Sequence, residues 1–264
     1  MRVVLLFLLF LLVGCQGEPP PPPPAVTPTP APELLRLGIS DNATAVADLV
    51  LPAYAAVTQQ ALLQFIPANN AALWAELNAG RVDAILTHHV PAICPCWFNP
   101  VAWDGLTIIV HPDNPTSNLS RGEIQAIFSG RQGAWPDGRP ITLFSRERDA
   151  NSRLLLNERL MAEQRLAITA VVLPDDEEMV TAVAGDAQAI GYLMFGALDG
   201  RVKPLTVDNQ PATPAAAAAQ DYPLATPLYF VAPQEPAGEL RTFLAWLQSP
   251  DGQERLGEKY GRIR

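Results

Sequence analysis

Between residues 33 and 264, short unbroken apolar runs take turns with apolar residues at helical spacing, which is the rhythm of strands alternating with helices. Leu34–Ile39 reads as a buried strand. After Ser40-Asp41-Asn42, a stripe of Val46, Leu49, Val50, Tyr54 and Val57 predicts a helix that Pro52 should kink. Ala61–Ile66 predicts a second strand, Asn70–Ala79 a helix stopped by Gly80, and Val82–Leu86 a third strand. This order implies a mainly parallel α/β sheet. Leu106–Val110 predicts one more strand, after which Pro112, Asn114 and Pro115 break the pattern, and a crossing between two lobes is expected there.

The second half continues the alternation. Ser120 and Glu123 form a capping box, with Leu119 and Ile124 at the staple positions, so a helix is expected over Arg121–Ser129, ended by Gly130. Strands are expected at Ile141–Ser145, Leu166–Val172, Ala189–Met194 and Val202–Val207. Helices are expected at Ser152–Gln164 and from the acidic start Asp175–Glu178. Residues 210–220, with five consecutive alanines, fit a short helix or a loop equally well. Leu228–Ala232 reads as a strand returning to the first lobe. Leu240, Phe243, Leu244 and Leu247 form a helical stripe, and Ser249-Pro250 opens a last helix. The expected plan is a first lobe of residues 33–110 and 225–264 around a second lobe of residues 111–224.

The first 32 residues carry no such rhythm. Arg2 precedes an apolar run, Val3–Val13, that matches a secretory signal and is too short to span a bilayer. Residues 1–14 are therefore expected to be a signal peptide. Leu12-Val13-Gly14-Cys15 resembles the bacterial lipobox, which makes Cys15 a lipidation site. Residues 15–32, with Pro19–Pro24, suit an extended polyproline II tether of about 3.1 Å per residue. The expected location is extracytoplasmic, on the bacterial membrane through a lipid anchor. With 48% apolar residues there is material for a large core, and a net charge of −9 argues against a nucleic-acid partner. A monomer without a cofactor is expected.

Two constellations carry chemistry. A strand ending at Ser145, a polar turn and a helix starting near Asn151 aim backbone N–H groups at the space over the turn, and Arg146, Arg148 and Arg153 bracket it. Such a turn suits an oxyanion. Ser40–Asn42 repeats the arrangement in the first lobe. The second constellation is His88, His89, Cys94 and Cys96 within nine residues, a donor set that zinc or copper accepts. The Cys-Pro-Cys spacing fits a disulfide, inert thiols or a redox pair as well. His111 is expected only to cap a strand.

Several runs resemble a known family. His111-Pro112-Asp113-Asn114-Pro115-Thr116-Ser117-Asn118-Leu119-Ser120, then Ile127-Phe128-Ser129-Gly130 and Trp135, resemble the second lobe of bacterial phosphate-binding proteins of ABC uptake systems. Ser145-Arg146-Glu147, Ala189-Ile190-Gly191-Tyr192, Tyr222-Pro223-Leu224, Pro227-Leu228-Tyr229 and Ser249-Pro250-Asp251-Gly252-Gln253 follow in order. The resemblance implies a type II periplasmic-binding fold: two α/β lobes, mixed and mainly parallel sheets joined by hinge strands, with ligand clamped in the cleft.

It also implies a solute-binding protein that captures a small phosphate-like oxyanion for an ABC permease and performs no catalysis. In relatives the turn reads Ser-Arg-x-x-Gly-Ser-Gly-Thr-Arg, and here Arg146, Ser152 and Arg153 fit it, while Ala150 replaces a hydroxyl. The expected glycine-rich loop is Pro67–Ala71, without glycine. His88 lies where relatives place an aspartate that accepts the proton of phosphate, which would favour a fully ionised anion or another ligand. The expected ligand-binding residues are Ser40, Asp41, Asn42, Asn69, His88, Arg146, Asn151, Ser152 and Arg153. The alternatives are a metal-binding lipoprotein using His88, His89, Cys94 and Cys96, or a degenerate binding lobe acting as a sensor.

Overall fold

The computed structural model describes residues 31–263. The signal peptide expected at 1–14, the lipidated Cys15 and the tether up to residue 30 lie outside the described residues.

Strand β1 (Glu33–Ser40), helix α1 (Ala45–Val57), strand β2 (Ala61–Ala68), helix α2 (Asn70–Asn78) and strand β3 (Ala84–Thr87) follow in the expected order. β1 is parallel to both β2 and β3. Leu35, Leu37 and Ile39 of β1 are buried, and α1 covers them with Val46, Val50 and Tyr54. Val57 is exposed, so the stripe ends one turn early, and Pro52 sits inside α1 on its solvent side. Removing apolar surface from water at about 25 cal/mol per Å² is what holds this layer together.

Strand β4 (Trp97–Val110) starts well before the expected Leu106, because Asn99, Pro100, Asp104 and Gly105 hide a strand from propensity. Residues 97–105 pair antiparallel with β11 (Ala225–Ala232), and residues 106–110 with β8 (Ala189–Met194). The change of partner therefore falls at Gly105/Leu106, ahead of Pro112–Pro115. β11 also pairs antiparallel with β3. β4 thus runs through both halves of one mixed sheet, ordered β2-β1-β3-β11-β4-β8 and continuing to β6 (Thr142–Arg146) and β7 (Val171–Leu173). A Cβ on Gly105 would meet the Phe195 ring at 2.5 Å, so any other residue at this handover needs the ring to shift.

In the second half, β5 (Asn118–Leu119) leads into α3 (Arg121–Phe128), and Ser120 and Glu123 make the expected reciprocal capping bonds. β6 (Thr142–Arg146) is followed by α4 (Asn151–Leu156), which continues as a π turn over Asn157–Met161, so the helix expected to reach Gln164 ends earlier. The strand expected at Leu166–Val172 shrinks to β7 (Val171–Leu173), whose two valines are exposed at the sheet edge. α5 (Asp176–Gly185) is capped by Asp175. Val202–Val207 splits into β9 (Lys203–Pro204), beside β4, and β10 (Thr206–Val207), beside β5. The alanine run is helix α6 (Pro214–Ala218), capped by Thr213 with Pro214 in its first turn. α7 (Gly238–Leu247) and α8 (Pro250–Leu256) close the chain against the first half.

Ile108, Ile124, Phe128, Tyr192 and Met194 centre the core of the second half. Leu37, Val46, Leu86, Phe230 and Phe243 centre that of the first. Among the described residues no helix is long and apolar enough to cross a membrane.

Candidate functional site

The C-terminal ends of β1, β3 and β6 point to one region, with β1 and β3 from the first half and β6 from the second. Ligands in open α/β sheets lie beyond such strand ends. Arg146 closes β6 and is only 1% exposed. Its Nη2 donates to Asp41 Oδ2 at 2.9 Å, just beyond β1, and to the Pro174 carbonyl at 2.8 Å; its Nη1 donates to Asp176 Oδ1 at the start of α5. Burial works against the Arg146 charge, but the Asp176 and Asp41 carboxylates outweigh it and strengthen its hold on the proton. Burial pushes the Asp176 carboxyl up to about 6, with Arg146 pulling the other way only in part.

More bonds cross between the two halves around this guanidinium. Asn151 Nδ2 donates to Asp41 Oδ1 at 3.5 Å, the Thr87 hydroxyl donates to Asn151 Oδ1 at 3.2 Å, and the Asn70 backbone N–H donates to the Asp149 carbonyl at 3.2 Å. The Arg146 backbone is pinned by its N–H to the Tyr192 hydroxyl at 2.9 Å. Arg153 braces the same strand end, its Nη1 donating to Ser145 Oγ at 3.1 Å and to the Arg146 carbonyl at 3.2 Å. Arg148 is exposed.

Within this dry, cross-linked region several polar atoms have no partner: the donors Asn42 Nδ2, Arg146 Nε and Ser152 Oγ, and the acceptors Asn70 Oδ1 and Asp176 Oδ2. Each buried polar atom left unpaired costs about 1–3 kcal/mol. Asn42, Asn151 and Ser152 are all buried, and α4 begins at Ala150 without a side-chain cap. Buried, unpaired donors on Arg146 and on the turns that carry Asn42 and Ser152 suit an oxyanion.

The other expected residues have defined tasks. Ser40 Oγ donates to Asn42 Oδ1, and α1 starts only at Ala45, so Ser40–Asn42 form a turn ahead of the helix and do not cap it. Asn69 caps α2, its Oδ1 accepting from Ala72 N at 3.0 Å. His88 Nε2 meets Asp104 Oδ2 at 2.8 Å, both side chains fully buried, while Asp104 Oδ1 accepts from the Gly105 and Phe195 N–H groups at 2.7 and 3.0 Å. His88 is therefore tied to β4 where that strand changes partner. His111 Nδ1 accepts from the Asp113 N–H at 3.0 Å and caps the turn after β4.

The metal set of His88, His89, Cys94 and Cys96 requires correction. Cys94 and Cys96 are joined in a disulfide, so neither sulfur is a thiolate ligand, and His89 instead faces Glu158 at 3.7 Å. Among the described residues no group of three or more His, Cys, Asp or Glu side chains is placed to hold a metal ion.

Sequence reasoning missed Asp176, Thr87, Asn70 and Asp104. Asp176 was visible only as a helix-start acid, since its partner lies 30 residues away. The pairing of Asp104 with His88 leaves no local signal.

Comparisons with known proteins bear on the family and the fold. The sequence profile of the PBP superfamily domain matches residues 24–251. The phosphate-binding protein PstS of Bacillus subtilis is 28% identical over 171 residues, covering 62% of this chain and 56% of that protein. PstS 2 of Streptococcus agalactiae is 29% identical over 160 residues, covering 60% of this chain and 52% of that protein. The chain thus spans about half the length of the curated relatives it matches.

Among solved structures, a protein from Clostridium perfringens with bound phosphate, described as a phosphate ABC transporter substrate-binding protein, superposes with a TM-score of 0.81. It has 19% identity, with 88% of this chain and all of that one covered. An ABC-type phosphate transport receptor from Vibrio cholerae gives a TM-score of 0.73 at 23% identity, covering 86% and 99%. Both share the mixed α/β fold.

Proposed function

The chain belongs to the PBP superfamily, and from that premise we propose that it is a lipid-anchored, extracytoplasmic solute-binding protein. It captures a phosphate-like oxyanion between its two lobes and delivers it to an ABC permease, with no reaction performed. The trio of buried, unpartnered donors, Asn42 Nδ2, Arg146 Nε and Ser152 Oγ, carries this reading. An oxyanion accepts from all three at once, bridging the first half through Asn42 and the second through Arg146 and Ser152. Contacts of that kind with both lobes bias a hinge toward closure. The relatives' binding of phosphate, at 28–29% identity over roughly the matched three-fifths of this chain, supports the same class of ligand.

Asp176 refines the choice of anion. Its Oδ2 is a buried acceptor with no donor, and an oxyanion that still carries a proton supplies one. That favours a protonated phosphate over sulfate, in place of the fully ionised anion that His88 alone suggested. No metal or cofactor is required.

Calorimetry with phosphate, sulfate, molybdate and tungstate tests the reading. Phosphate is expected to bind, and Ser152→Ala and Asn42→Ala are each expected to weaken it by roughly tenfold or more, the cost of one hydrogen bond to a charged partner at about 1.5–3 kcal/mol. If none of the four anions binds, or if the two variants and Arg146→Ala leave every binding isotherm unchanged, the oxyanion reading is wrong. Cys15→Ser is expected to move the protein from the membrane to the soluble fraction.

A further inference from the structure

A cavity of about 310 Å³ opens between the two halves, past the end of β3 and along α4. Its walls include His88, Phe98, Leu155, Glu158, Thr226 and Tyr229. Two of these adjoin the unpartnered donors. Leu155 is three residues after Ser152 on α4, a rise of about 4.5 Å, and His88 follows Thr87, whose hydroxyl bonds Asn151. The cavity and the anion donors therefore share the end of β3 and one helical turn.

The volume exceeds what a tetraoxyanion needs. At about 30 Å³ per water it equals about ten waters, whereas such an anion has five heavy atoms and is already served by donors outside these walls. The lining is specific in character. Phe98 and Tyr229 meet edge to face at 5.5 Å, giving an aromatic wall suited to carbon–hydrogen faces. The His88 side chain is fully buried and bonded to Asp104, so it backs the cavity wall without offering a polar atom to it. The Glu158 carboxylate is an acceptor, the Arg159 guanidinium a donor, and the Thr226 hydroxyl accepts or donates. Donor and acceptors beside an aromatic wall suit a ligand with hydroxyl groups on a short carbon skeleton.

We propose that this cavity receives the organic part of the solute, and that the natural ligand is a hydroxylated phosphate monoester of the polyol-phosphate or sugar-phosphate class. Free inorganic phosphate fills only the donor trio. The proposal rests on the oxyanion reading above and adds a subsite to it. The ester oxygen bridges the two places: phosphoryl oxygens face Asn42, Arg146 and Ser152, and the carbon chain turns past Leu155 toward Phe98 and His88.

Calorimetry on the chain with glycerol 3-phosphate, glucose 1-phosphate, inorganic phosphate and glycerol separates the cases. At least one ester is expected to bind tenfold or more tighter than inorganic phosphate, and glycerol alone not to bind. Ala92→Trp, which fills the cavity from an exposed lining position, and Phe98→Ala, which removes its aromatic wall, are expected to bring the ester down to the level of inorganic phosphate. Neither should change inorganic phosphate itself. If inorganic phosphate binds and the esters gain nothing, or the gain survives both variants, the cavity is an entrance only and the proposal falls while the oxyanion reading stands. If neither phosphate nor ester binds, both fall together.

Discussion

Asp176 shows how one buried side chain ties stability to pH. Its carboxyl titrates near 6 in the folded protein against an ordinary value of 3.8, because burial disfavours its charge more than Arg146 restores it. The folded state therefore holds this proton more tightly than the unfolded one. The resulting stabilisation is fully present below about pH 3.8 and is lost as pH rises through about 6. The shift corresponds to about 3 kcal/mol at 1.36 kcal/mol per unit. Asp176→Asn, which can still accept from Arg146, is expected to remove that dependence. Urea unfolding at pH 4, 5, 6 and 7 should show the wild type losing stability relative to the variant across this range, and parallel curves would refute the assignment. Exposed carboxylates paired with arginines, such as Asp137 and Glu177, have lowered values and act in the opposite sense, so the comparison must be between variant and wild type. Arg146 and Ser152 were legible in sequence because their turn follows a family pattern. Asp176 was not, since what gives it a role is a fold that brings residue 176 to residue 146.

At the scale of elements, capped helices were the most legible features. Ser120 with Glu123 and Ser249 with Pro250 name a helix start through a few neighbouring residues, and both starts lie where expected. Strands whose identity depends on partners were less so. β4 contains Pro100 and Gly105 and is a strand because β11 and β8 bond to it on successive stretches, which no local window contains. Gly105 marks the changeover between those partners. Gly105→Ala would press a Cβ to 2.5 Å from the Phe195 ring. Overpacking of this kind costs about 1–3 kcal/mol, and it falls beside Asp104, which anchors both His88 and the Phe195 N–H. Chemical denaturation is expected to show a loss in that range, and an unchanged midpoint would mean that the ring has room to move.

On the scale of the molecule, Asp41 is the contact that most directly joins the two halves, through Arg146 and Asn151. Both of its oxygens are engaged, so on the oxyanion reading its charge repels the anion held by the neighbouring Nε. Like charges about 5 Å apart interact at about 3 kcal/mol for an effective dielectric of 20. Asp41→Asn is accordingly expected to raise oxyanion affinity by tenfold or more at fixed ionic strength. A fall in affinity measured by calorimetry would mean instead that Asp41 accepts from the ligand.

The carboxylates around Arg146 bear on the proposed capture in one more way. Asp41 and Asp176 hold the two Nη groups, so an empty site contains no bare cation. On the oxyanion reading only the free Nε changes hands with each round, and Asp176, in the same half as Arg146, would keep the guanidinium company after cargo leaves.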